Sequence, residues 1–132
     1  MASAKQAAQR PTLVLVVEDS HVQAKIIGRH VTSMSSFETV TAESMAEAAA
    51  RVRKEKGRLL AAVVNMNLPD APDGEAVDML MASGVPTIVL TAIFKEEVRA
   101  ALLAKQVTDY VVKENMAVLD DLVAIVTRLY RN

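Results

Sequence analysis

Apolar residues follow two rhythms along this chain, and the rhythms alternate. Residues 12–17 (TLVLVV) form a β-branched run without polar alternation, the pattern of a strand covered on both faces. Glu18, Asp19 and Ser20 follow at once. Ser20 stands where a helix N-cap belongs, and Val22, Ile26, Ile27 and Val31 then recur at helical spacing as far as Met34. The unit repeats. Residues 37–41 predict a second strand, and Ser44 opens an Ala-rich helix that closes at Gly57 in a basic last turn (RVRKEKGR), a charge run that predicts a solvated helix face. Residues 59–66, 86–91 and 107–112 predict three more strands. Residues 74–82, 95–105 and 116–130 predict three more helices, with Val98, Leu102 and Leu103 inward on the fourth.

Five strands alternating with five helices predict an α/β fold, a doubly wound parallel sheet with helices on both faces and right-handed crossovers. A length of 132 residues, 52% apolar, suits one domain with a sizeable core. Residues 1–11 (MASAKQAAQRP) mix small and polar types without an apolar signal region, so they are expected to be a flexible leader and 12–132 the domain. The longest apolar runs are strand-sized, which argues against a membrane span and leads to an expectation of a cytoplasmic protein. With 15 Lys+Arg against 16 Asp+Glu, no basic field exists for nucleic acid. Zero cysteines exclude disulfides, Cys-ligated metals and thiol catalysis.

In an open parallel sheet, ligands bind beyond the carboxyl ends of the strands. Here those ends carry Glu18-Asp19, Asn65-Met66-Asn67, Thr91-Ala92 and Lys113. Two carboxylates, amides, a hydroxyl and an ammonium thus converge on one edge, the inventory for a hard divalent cation beside a phosphoryl group. Taken singly each has a plainer use: the acidic pair favours the following helix N-terminus, Thr91 caps a loop, and Lys113 lies on the surface.

Together these residues resemble the receiver domains of two-component response regulators, the CheY-like fold. The resemblance runs over nearly the whole chain, through VVEDS, NMNLPDAPDG, VLTA and DYVVK. It implies the flavodoxin-like strand order 2-1-3-4-5, for which CheY is a standard example. It also implies a non-enzymatic role in phosphorelay signalling, with a histidine kinase or phosphotransfer protein upstream and an output domain or second receiver downstream. In receivers, the positions of Glu18, Asp19, the phosphoacceptor (here Asn65) and the backbone carbonyl of the Asn67 position hold Mg2+. The Thr91 and Lys113 positions bind the phosphoryl group, and the Tyr110 position changes rotamer with the Thr as the output switch.

The chain departs from the family pattern where a receiver has its phosphoacceptor Asp. Asn65 has no anionic oxygen to attack phosphorus, and its nitrogen lone pair is delocalised, so the domain is expected not to form an acyl phosphate. Two origins fit: a receiver that has lost phosphorylation, or an Asn introduced to trap the unphosphorylated state. The amide also removes an anion adjacent to a dication, and each pair of unit charges about 4 Å apart is worth about 4 kcal/mol at an effective dielectric of about 20. Mg2+ is therefore expected to bind weakly or not at all, with Lys113 leaning on Asp19. Glu114 stands where most receivers carry Pro, and a trans Lys113-Glu114 bond is expected. The long loop after the third strand and the short helix beyond it resemble first receivers of regulators that carry a second receiver and a GGDEF diguanylate cyclase.

The alternative reading is a pseudo-receiver that acts only as a docking or dimerisation module. An enzyme on the same fold is disfavoured, because neither a nucleophile nor a glycine-rich loop is present. His21, near Asp19, and His30 read as ordinary helix residues, and Gly28 as a point of close packing. On the last helix Val118, Leu122, Ile125 and Leu129 form one inward ridge. Leu119, Val123, Val126 and Tyr130 form a second, which either packs internally or supports a homodimer through the last two helices.

Overall fold

The computed structural model describes residues 10–132, so most of the expected leader, residues 1–9, lies outside the described residues. Five strands, β1 (Leu13–Val17), β2 (Glu38–Ala42), β3 (Leu59–Asn65), β4 (Thr87–Thr91) and β5 (Asp109–Val112), alternate with five helices. The helices are α1 (His21–Met34), α2 (Met45–Lys54), α3 (Glu75–Ala82), α4 (Glu96–Ala104) and α5 (Val118–Arg131). All strand pairs are parallel, in the order β2-β1-β3-β4-β5. Parallel neighbours force every return crossing through a helix, so all five carboxyl ends gather at one edge.

The continuous apolar runs are explained by burial on both faces. Val14 and Val16 of β1 point into a core shared with Ile27 and Val31 of α1 and with Leu122 and Val126 of α5. Leu15 and Val17 point the other way, against Ala48 of α2, Leu80 of α3 and Leu102 of α4. Period-two alternation along one strand thus supplies two cores, each side chain contributing roughly 1.5–3 kcal/mol on burial. Gly28 lies where α1 crosses β2: a Cβ there would stand 3.2 Å from the Thr39 hydroxyl oxygen. Ser20 caps α1 as expected, accepting the Gln23 N–H at 3.3 Å.

Several boundaries and faces differ from the sequence reading. β5 starts at Asp109 because Val107, though buried, donates its N–H to Leu102 and closes α4. Val22 is 66% exposed and Leu103 37% exposed; each sits at the margin of its helix's apolar arc, where helical spacing alone assigns the wrong side. The second ridge of α5 is internal: Leu119, Val123 and Val126 are buried in the α1-side core, and the Tyr130 ring packs on Phe37 at 5.4 Å. Adjacent α1 needs a second apolar face to rest on, so this ridge is not a free surface for a second copy. No peptide bond among the described residues is cis, as expected at Lys113-Glu114. Arg10 donates to the Tyr130 carbonyl at 3.3 Å.

Candidate functional site

The carboxyl edge brings together four of the strand-end groups. Glu18, buried directly after β1, turns its side chain back under the chain and accepts the Ser20 N–H at 3.0 Å. Asn65, the last residue of β3, places Nδ2 3.3 Å from each Glu18 carboxylate oxygen. A carboxylate only accepts, so the amide must present its NH2 side to Glu18. Its Oδ1 then accepts the Asn67 N–H at 3.1 Å, which fixes the side chain at both ends. Lys113 closes the set: its Nζ lies 3.6 Å from Glu18 Oε1 and donates to Gln23 Oε1 at 3.3 Å. The Lys113 N–H also donates to the Thr91 carbonyl, tying β5 to β4 at the site.

The expected partner of Lys113 was Asp19; the observed one is Glu18. Asp19 is exposed, and the backbone turn at the helix entrance aims it at solvent while Glu18 faces inward. His21, expected near Asp19, pairs with Glu43 instead. The side chain of His30 meets Asp120 at 2.7 Å, joining α1 to α5. Among the described residues no group of three or more His, Cys, Asp or Glu side chains is arranged to hold a metal ion.

Thr91 and Tyr110 occupy the other side of the edge. The Thr91 hydroxyl, buried at the end of β4, donates to the Ile93 carbonyl at 3.2 Å. The Tyr110 hydroxyl reaches the same carbonyl at 3.4 Å and accepts the Lys95 N–H at 3.4 Å, with its ring buried and edge-on to Phe94. Thr91 and Tyr110 are therefore linked through one backbone oxygen of the β4–α4 loop. Sequence reading named both residues but missed that carbonyl, and it missed Gln23, in the first turn of α1, and Lys95, at the entrance of α4. A cavity of about 230 Å³ lies among Asn65, Asn67, Thr91, Lys95, Tyr110 and Lys113. A larger groove of about 820 Å³ runs between β5 and α5 and shares only Tyr110 with this site.

The β3–α3 loop that follows Asn65 is pinned from below. Leu68 and Ala71, both buried, form an antiparallel bridge, and Asp70 between them reaches α2. The Asp70 carboxylate accepts the Met45 N–H at 2.9 Å and the Ala46 N–H at 3.1 Å. These two donors, Met45 first, hold the Asp70 carboxyl below the ordinary aspartate range.

A doubly wound α/β sheet of order 2-1-3-4-5 with these groups at its carboxyl edge defines a CheY-like fold. The chain belongs to the response regulator receiver domain family, whose sequence model matches residues 14–127. It is 34% identical to a two-component system response regulator/GGDEF domain protein at a TM-score of 0.80, covering 92% of this chain and 48% of that one. It thus spans about half the length of that relative. The response regulator domain of Thermotoga maritima CheB aligns at a TM-score of 0.80 with 18% identity, covering 93% of this chain and 98% of that one. The receiver domain of a Luxo repressor protein from Vibrio parahaemolyticus aligns at 0.77 with 22% identity over 90% of this chain and 92% of that one. These last two share the fold. No curated protein matches the chain.

Proposed function

We propose that this domain is a receiver whose position 65 carries no phosphoryl group, and that it acts in two-component signalling as the unphosphorylated form. The observation that carries the reading is the Asn65 amide, held between the Glu18 carboxylate and the Asn67 N–H at the end of β3. An amide in that place supplies no nucleophilic oxygen. Thr91 and Lys113 are assigned the phosphoryl-binding positions and Tyr110 the switch position; Glu18, Asp19, Asn65 and the Asn67 carbonyl are assigned the Mg2+ positions.

Receivers in general bind Mg2+. The residues of this chain do not suit it. Glu18 already accepts from Ser20 and Asn65 and lies near Lys113, and Asn65 turns toward Glu18 its NH2, which has no lone pair to offer a cation. Asp19 remains as a single exposed carboxylate. Weak or no Mg2+ binding is part of the proposal. Upstream it places a histidine kinase or phosphotransfer protein, and downstream an output domain or second receiver, with a GGDEF regulator as the parent type suggested by the 34% identical relative.

A docking module independent of phosphorylation is the second reading, favoured by Ile93 and Phe94, 67% and 50% exposed beside the site. Fluorine NMR with beryllofluoride and Mg2+ separates the two. The proposal expects no adduct on the chain as it stands and a site-specific adduct, with tighter Mg2+ by calorimetry, on Asn65→Asp. An Asn65→Asp protein that stays inert would favour the docking module, and an adduct on the Asn65 chain would overturn the proposal.

A further inference from the structure

The net charge of -1 conceals a segregation of charge along the strand axis. Acidic residues stand in the first turns of α2, α3, α4 and α5 at the carboxyl edge, whereas the last turns of α2 and α5 at the amino edge carry Arg51, Arg53, Lys54, Arg128 and Arg131. That much complements the helix dipoles. A cavity of about 470 Å³ at the amino edge goes further. It lies between Arg10, Thr12 and Leu13 at the entrance of β1 and Lys56, Gly57 and Arg58 in the turn before β3, the strand beside β1. None of its described lining residues is a carboxylate. Arg58 is already compensated, 2.7 Å from Glu55 and 4.0 Å from the exposed Glu38. Arg10 and Lys56 are not: neither has an ion-pair partner among the described residues. Arg10 meets neutral groups instead, the Tyr130 carbonyl at 3.3 Å and the Tyr130 ring at 5.7 Å.

We propose that this cavity binds a small anion bearing a diphosphate group, either inorganic pyrophosphate or a nucleoside diphosphate, at the sheet edge opposite Asn65. Two uncompensated cations match two adjacent phosphates. One bond to the Tyr130 carbonyl leaves the Arg10 guanidinium further N–H donors for a bidentate hold on phosphate oxygens, and Lys56 adds a mobile point charge. Gly57 has a φ of +85°, and beyond its chain neighbours nothing stands within 4 Å of the place of a Cβ, so the turn stays uncovered. The carbonyl end of α2 is partly closed, because the Arg51 and Glu55 carbonyls already accept the Glu55 and Arg58 N–H groups. The space is of small-molecule size, and the basic edge around it steers an anion here rather than to the acidic carboxyl edge. Arg10 touches the last turn of α5 and Lys56 follows the end of α2, so an occupied cavity ties these two helix ends together. Nothing at Asn65 enters into this binding.

The test is a 1H–15N NMR titration of the protein with inorganic pyrophosphate and, separately, with ADP, each without divalent metal and against potassium chloride at equal ionic strength. Saturable shifts at Thr12, Leu13, Lys56, Gly57 and Arg58 are expected, with Thr91 and Lys113 unmoved, and the probe that saturates at the lower concentration identifies the source. Arg10→Gln and Lys56→Gln should each weaken binding at least about fivefold, the factor set by one unit charge at about 4 Å in water. Arg10→Lys, which keeps the charge, should bind more tightly than Arg10→Gln. Arg99→Gln removes an exposed cation from α4 and should leave the affinity unchanged. An oligoglutamate peptide should bind more weakly than either probe. Shifts equal to those in chloride, shifts centred on Thr91 and Lys113, an equal loss in Arg99→Gln, or tighter binding of the peptide would each overturn the proposal.

Discussion

Asp70 is exposed, yet its carboxylate accepts two helix N-terminal N–H groups from a different segment of the chain. Because these bonds favour the charged form, the folded pKa lies below the unfolded one. The stabilisation is therefore fully present above the unfolded aspartate pKa and is lost as pH falls through the folded value. An NMR pH titration should show the Met45 and Ala46 amide shifts moving with a midpoint below the ordinary aspartate value, and Asp70→Asn should remove that transition. A midpoint at or above the ordinary value would contradict the assignment. The same scale explains which site residues were legible in the sequence. Glu18, Asn65, Thr91 and Lys113 end strands of recognisable pattern, so topology alone brings them together. The choice of Glu18 over Asp19 as the partner of Lys113 depends on one backbone turn. The capture of Thr91 and Tyr110 by the Ile93 carbonyl depends on a loop path, and neither leaves a periodic signal.

At the scale of elements, α5 is the informative case. Its two apolar ridges were visible in the sequence, but whether the second faced a partner or a neighbour was undetermined, since period shows that a face is apolar and not what covers it. The neighbour is α1, reached through Leu119, Val123 and Val126, with the His30–Asp120 contact at the rim. Val123→Lys should accordingly destabilise the domain by roughly 2 kcal/mol or more in urea unfolding, because it inserts a long charged side chain into a filled, apolar place. Ala124→Lys, one position on and exposed, should stay within about 0.5 kcal/mol of the parent. Equal stability of the two variants would show that the second ridge is not the packed one. Strands are more legible in the sequence than helix margins, because a continuous run such as 12–17 admits few alternatives, while Val22 and Leu103 fall at the edge of an arc.

Across the whole molecule, five parallel strands deliver Glu18, Asn65, Thr91 and Lys113 to one edge, and the proposed reading turns on the single side chain at position 65. The scaffold around position 65 is intact: Thr91 and Lys113 stand at the ends of β4 and β5, and Glu18 is buried beneath Asn65. Asn and Asp are nearly isosteric, so exchanging one for the other alters charge and nucleophilicity while leaving the packing alone. The most direct measurement is intact mass after incubation with acetyl phosphate and Mg2+, made side by side on the protein and on Asn65→Asp. The account predicts no phosphoryl adduct on the first and one adduct, at position 65, on the second. A phosphoryl group on Asn65 itself, or an Asn65→Asp protein that remains unmodified, would contradict it.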